Sequence, residues 1–143
     1  MKVKIQPLHL RQKDKRGKVH DFFLANRKHF LFLYTKKGKV RGCHFHPGLT
    51  KSKNPENFIL IKGRLRINAI DIITKERKTF FVTKPSWIRI WPRIYHEIIA
   101  LEDSILFEPN EGLFTRKDVV KPNDKRFPDF LKVRLNRLRY NQK

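Results

Sequence analysis

Short apolar runs, separated by turn residues, recur along most of this chain. Residues 19–24 and 29–34 read as strands, with Ala25-Asn26-Arg27-Lys28 between them as a loop of hairpin length. Lys36-Lys37-Gly38-Lys39 turns the chain into a strand over residues 40–46, which Pro47-Gly48 stops. Residues 49–55 read as an exposed loop. Residues 57–61 are nearly continuous apolar, Gly63 marks a bend, and Arg64-Leu65-Arg66-Ile67 alternates as a strand with one buried face does. Residues 79–83, 87–91, 97–101 and 104–108 complete the set, divided by turns around residues 74–78, Lys84-Pro85-Ser86, Pro92 and Glu102-Asp103. Closely spaced strands with turn signals between them predict an all-β barrel or sandwich.

The period changes in the tail. Phe127, Phe130, Leu131, Leu135 and Leu138 fall on one helical face, and Pro128 suits a first turn. Asp124 or Asp129 favours the start, so a helical tail is expected over about residues 124–141. Its apolar stripe suits docking onto the β core; the alternative is a helix for a partner, a lipid or RNA. Arg134 and Arg137 lie off that stripe.

Length and composition narrow the class. A chain of 143 residues with 39% hydrophobic content is one globular domain, residues 1–143, with a core over about 19–110. No run of about 18 apolar residues spans a membrane. The first residues lack the apolar centre of a secretory signal, so a cytoplasmic chain is the expectation. Cys43 is the only cysteine, which excludes an internal disulfide and a cysteine-built zinc site. The net charge of +21 attracts polyanions: nucleic acid, anionic lipid or a phosphate-bearing small molecule. It thickens at Lys13, Lys15, Arg16 and Lys18 and again from Lys132 to Lys143, although a solvated lysine-rich surface gives the same number.

The chemistry centres on histidine. His44 and His46 flank Phe45, so in a strand both imidazoles share one face and offer a metal two nitrogen ligands. Glu56 shares a face with Phe58, and His96 shares one with Ile98 and Ala100. Inward positions of different strands converge in a barrel, which would gather His44, His46, Glu56 and His96 into three nitrogens and one oxygen. That set suits one divalent zinc, iron, manganese or nickel ion. Tyr95 alternates away from His96, and Cys43 away from His44. Trp87, Arg89 and Trp91 share one face, which suits stacking on a base or sugar, or a dimer interface.

Three segments together carry a resemblance. Arg41-Gly42-Cys43-His44-Phe45-His46, then Glu56 with Gly63 after six intervening residues, then Pro92 followed by His96, resemble the two motifs of the RmlC-like cupin superfamily. The resemblance covers about residues 19–110 and implies a small jelly-roll β-barrel with a short C-terminal helix. Arg-Gly-x-His further resembles the sugar-nucleotide branch: dTDP-4-dehydrorhamnose epimerases, dTDP-keto-sugar ketoisomerases and the cupin domain of capsular polysaccharide epimerases. By that resemblance His44 is the general base, His46 joins it, and Arg41 holds the ligand. The implied activity is isomerisation or epimerisation of a nucleotide-linked keto-sugar, by a histidine whose pKa lies near neutrality. Cupins of this branch also imply a homodimer. The strand over 104–108 has no tyrosine where the epimerases place their acid, and Asn57 stands where they carry a lysine. Two further classes remain: a metal-dependent oxygenase or small-molecule isomerase using all four ligands, and a non-catalytic basic cupin that binds a polyanion.

Overall fold

The computed structural model describes residues 9–23, 29–113 and 115–140. Ten strands run in chain order: β1 (His9–Asp14), β2 (Gly17–Phe23), β3 (His29–Thr35), β4 (Val40–His44), β5 (Glu56–Lys62), β6 (Leu65–Asp71), β7 (Arg77–Val82), β8 (Ser86–Ile90), β9 (Ile94–Ala100) and β10 (Ser104–Asn110). One helix, α1 (Asp129–Tyr140), follows them. The strands pair antiparallel in two sheets, one ordered β1-β2-β3-β10-β5-β8 and the other β4-β9-β6-β7. Among the described residues no ladder joins the sheets, so the expected barrel is an open jelly-roll sandwich. Sharp corners separate them. Gly63 (φ 105°) passes the chain from β5 to β6, and a Cβ there would collide with the Ser104 side chain.

Alternation places the core between the sheets. Val19, Leu31, Leu33, Phe58, Leu60 and Leu106 from the larger sheet meet Leu65, Ile67 and Ile98 from the smaller one. At about 25 cal/mol per Å² of apolar area removed from water, this interface is the main favourable term in folding. A second cluster lies outside the smaller sheet, where Phe127 and Leu131 pack on Phe45, Ile70, Tyr95 and Val120. The tail therefore docks onto the β core, on the face of β9 opposite His96. The helix starts at Asp129, later than expected, because Asp124 holds a turn instead: its carbonyl accepts from Phe127 N–H at 2.9 Å and its carboxylate from Arg126 N–H at 2.8 Å.

Other differences are local. The exposed charged segment His9–Asp14 pairs with β2 as an edge strand that the apolar pattern does not predict. The strand expected over 40–46 leaves its sheet at His44. The loop expected to be exposed over 49–55 contains a 3-10 turn, Lys51–Lys53, whose Ser52 and Lys53 are buried. The hairpin loop at residues 25–28 lies outside the described residues. Among the described residues no helix is long and apolar enough to cross a membrane.

Candidate metal centre

A bulge in β4 places the first histidine. Gly42 pairs with Glu97 and His44 with His96, so Cys43 is an extra residue in the ladder. Gly42 (φ 87°) and Cys43 (φ 59°) both take left-handed backbone to accommodate it. A Cβ at position 42 would lie 2.8 Å from the His96 carbonyl oxygen, so only glycine allows this approach. The chain then bridges residue 120: Phe45 N–H donates to Val120 O at 3.2 Å, and Val120 N–H to Phe45 O at 2.9 Å. Phe45 turns to the helix side and both flanking imidazoles turn inward. The expected alternation holds, carried by a bulge and a bridge rather than by a regular strand.

His44, His46, Glu56 and His96 converge, with one ligand atom of each lying within 4.8 Å of all the others. His46 Nδ1 donates to Asp118 O at 2.5 Å, and His96 Nδ1 donates to Ile94 O at 3.0 Å. A carbonyl only accepts, so in both rings the proton sits on Nδ1 and the Nε2 lone pair faces the cluster. Glu56 Oε2 lies 3.1 Å from His46 Nε2 and 3.3 Å from His96 Nε2. Nε2 of all three histidines and Glu56 Oε2 are buried without a hydrogen-bond partner. The lone pairs of His46 and His96 and Glu56 Oε2 are three acceptors aimed at one point beside His44 Nε2, and they repel one another unless a cation lies there. The residues therefore fit a divalent transition metal, and the two backbone carbonyls fix the ligand tautomers. Burial and the neighbouring imidazoles push the pKa of His44 down to about 2, so its ring is a neutral ligand.

Two residues that the sequence reading does not single out complete the site. Lys53, 2% exposed, donates from Nζ to Glu56 Oε1 at 2.6 Å and to Glu108 Oε1. Burial opposes its charge, but Glu108 and Glu56 outweigh burial and raise its pKa. Glu56 is held well below the usual carboxylate range: burial works the other way, and the charge of Lys53 prevails. Glu108 was legible in part, since it follows Ser104 and Leu106 on the inward face of β10, where a carboxylate needs a cation. Asp118 is the third omission. Its carboxylate accepts from Gly48 and Leu49 N–H at 2.8 Å each, and from the backbone and hydroxyl of Thr50.

The cluster opens into a cavity of about 900 Å³ between the sheets. Arg41 lines it and is buried, with Nε donating to Thr35 Oγ1 at 2.6 Å and Nη2 to Tyr34 O at 2.9 Å. Arg11, Arg16, Arg116 and Lys121 add cations around the same cavity. Trp87 and Trp91 stand apart at a different, apolar groove, both exposed, with the Arg89 guanidinium 4.5 Å and 5.6 Å from their ring centres. Tyr95 faces the helix and donates to Glu97, away from the site.

A jelly-roll sandwich with three histidines and a glutamate turned into its interior defines a cupin. Residues 12–117 match the family model of the polysaccharide biosynthesis C-terminal domain, and the chain belongs to that family. Among solved structures it is similar to the capsular polysaccharide assembling protein CapF from Staphylococcus aureus, at 22% identity and a TM-score of 0.67, over 82% of this chain and 33% of that one. CapF with the inhibitor 3-isopropenyl-tropolone matches at 21% identity and a TM-score of 0.67, over 80% of this chain and 34% of that one. A variant of Bacillus subtilis oxalate decarboxylase OxdC matches at 18% identity and a TM-score of 0.64, over 90% and 34% of the two chains. The chain spans about a third of the length of these structures, and at such identities the likeness shows the fold. No curated protein matches it.

Proposed function

We propose that this chain is a metal-dependent isomerase or epimerase that moves a proton next to the carbonyl of a nucleotide-linked keto-sugar in polysaccharide synthesis. The supporting observation is the set of four buried, unpartnered ligand atoms on His44, His46, Glu56 and His96. Zinc, iron, manganese or nickel held there by the three imidazoles and Glu56 would supply both a Lewis acid for the sugar carbonyl and, through the lowered pKa of its water, the base that takes up the neighbouring proton and returns it. The substrate class rests on family membership and on the cations around the cavity. Arg41, Arg11, Arg16, Arg116 and Lys121 suit a diphosphate, for which arginine offers paired donors. Val19, Leu31, Leu33, Phe58 and Ile98 give the cavity an apolar wall, which strengthens the charge interactions beside it.

The same geometry bears on His44 and His46 as acid and base. His46 engages Nδ1 with a carbonyl and turns Nε2 to the cluster, and burial keeps His44 neutral. Both suit ligation better than proton transfer, so direct histidine catalysis belongs to a metal-free form. We expect a homodimer, as in the resembling branch.

The test begins with metal analysis of protein purified without a histidine tag, beside His44→Ala/His46→Ala. A nucleoside-diphosphate keto-sugar is then incubated with each in deuterium oxide. The expected result is about one ion per wild-type chain, as such a ligand set predicts, with deuterium entering the carbon beside the ketone, and both lost in the double variant. A tropolone, whose adjacent oxygens form a chelating pair, should compete with the substrate. Exchange by a metal-free wild type would overturn the metal reading in favour of histidine acid–base chemistry.

A further inference from the structure

Lys53 and Glu108 have no place in the ligand set, yet both are buried beside it, Lys53 in contact with Glu56 and Glu108 with Lys53. Lysine and glutamate are almost never fully buried unless paired, and here they form a line: Glu56 Oε1, Lys53 Nζ, Glu108 Oε1. The geometry points to Lys53 as a positioning residue for the metal centre: it clamps Oε1 of Glu56 so that Oε2 alone faces the imidazoles, and Glu108 is its counter-charge. This rests on the metal reading above.

The need for a clamp is chemical. A glutamate carboxylate can ligate through one oxygen or both, and its side chain has three rotatable bonds. With Oε1 bonded to an ammonium at 2.6 Å, only Oε2 remains, directed to within 3.3 Å of His46 and His96 Nε2. The three imidazoles and one oxygen then leave room for a substrate oxygen on the cavity side. A bare ammonium beside the site would repel the metal it serves. Glu108 reaches in from β10 across the larger sheet and neutralises it. Two carboxylates and one ammonium leave a single net negative charge, as Glu56 alone would. The arrangement supplies orientation without altering the charge offered to the metal. Partners that orient a ligand in this way contribute on the order of 10–100-fold in metal affinity.

The test separates orientation from charge. Lys53→Met/Glu108→Gln keeps the net negative charge and removes the clamp. Lys53→Met alone leaves two buried carboxylates without their cation and is expected to unfold more readily. The double variant relieves that burden, as exchanging a buried ion pair for neutral groups often does. Each protein is checked for folding by thermal unfolding, titrated with zinc, and loaded with cobalt(II), whose visible absorption reports coordination number. We expect the double variant to fold, to bind zinc about tenfold to hundredfold more weakly, and to show a changed cobalt spectrum as both oxygens of Glu56 engage. Should it fail to fold, Lys53→Gln/Glu108→Gln carries the same test with polar isosteres. Wild-type affinity and an unchanged cobalt spectrum in the double variant would overturn the positioning role and leave the pair structural. A wild type that binds neither zinc nor cobalt would instead overturn the metal reading beneath it.

Discussion

Two places in this molecule set a carboxylate between histidines, and they do opposite things. In the hairpin region Asp21 of β2 meets His9 Nδ1 at 2.7 Å and the Arg11 guanidinium at 3.7 Å, and His29 Nε2, 3.2 Å from Asp21, accepts from Arg11 Nη1 at 3.2 Å. Each of its oxygens meets a positive or hydrogen-bearing group, so the cluster is closed on itself and ties edge strand β1 to its sheet. Between the sheets Glu56 also meets two imidazoles at similar distances, but there the Nδ1 protons of His46 and His96 are already given to backbone carbonyls. Imidazole lone pairs face the carboxylate, and the cluster is open to a cation. The histidine–carboxylate distances are alike in the two regions. An arginine and a donor imidazole on the carboxylate separate a structural knot from a candidate metal site.

The largest expected effect tests that distinction directly. Glu56→Gln or His96→Ala should reduce metal content from about one ion per chain to near zero, because each removes one of four ligands and the ion's binding depends on the whole set. His29→Ala should leave metal content unchanged. Elemental analysis after dialysis decides it, and metal that follows His29 instead of His96 would break the comparison.

Asp118→Ala comes next. It strips the acceptor from three backbone N–H groups and the Thr50 hydroxyl, on the loop just after His46, beside the carbonyl that fixes the His46 ring. Leaving such buried donors unpaired costs about 2–4 kcal/mol, measured by urea unfolding. The pH sign follows from the shift. Burial raises the Asp118 pKa, but bonds from Thr50, Leu49 and Gly48 outweigh burial and lower it. The contribution is therefore fully present above the ordinary aspartate value near 3.9 and is lost as pH falls through the lower folded value. The gap between wild type and Asp118→Ala should be constant at neutral pH and close in acid.

Much of this could be read from the chain, and the exceptions have one physical origin. Strand alternation located β2 to β10 within a few residues, and His44, His46, Glu56 and His96 were visible as inward positions. Lys53 was not, because it sits in a loop, where no periodicity says which way a side chain points, and because lysine is rarely buried. Its partner Glu108 lies 55 residues away, so neither sequence segment alone signals the pair. Edge strand β1 was missed for a similar reason: every residue in it is exposed, so pairing left no apolar signature. The bulge at Gly42 and Cys43 is invisible in the pattern because it preserves the facing of His44 and His46 while altering the backbone beneath them.

That bulge supplies a smaller test. Gly42→Ala places a Cβ 2.8 Å from His96 O, on backbone with φ of 87°. Strain of this kind costs about 1–3 kcal/mol. The backbone of β9 must yield at His96, so metal affinity should fall along with the unfolding midpoint. A variant destabilised to that degree with unaltered zinc affinity would show that the centre tolerates movement of β9, and that its ligands are less rigidly placed than the two carbonyl contacts suggest.

The smallest effect belongs to the closed cluster. Asp21→Asn keeps the shape and removes the charge that His9, His29 and Arg11 surround, so stability should fall by about 1 kcal/mol, as for a buried carboxylate whose cationic partners lie at the surface. Burial raises the Asp21 pKa, but the hydrogen bond and charge of His9 lead the contributions that outweigh burial and lower it. The contribution is thus present above the ordinary aspartate range and disappears as pH drops below it. Urea unfolding of both proteins between neutral pH and pH 3 should give curves that are parallel at first and merge in acid. Metal content should stay at the wild-type level throughout the neutral range. If it fell instead, the two clusters would be coupled through β2 and β3, and the hairpin knot would be part of the metal centre's support rather than its structural counterpart.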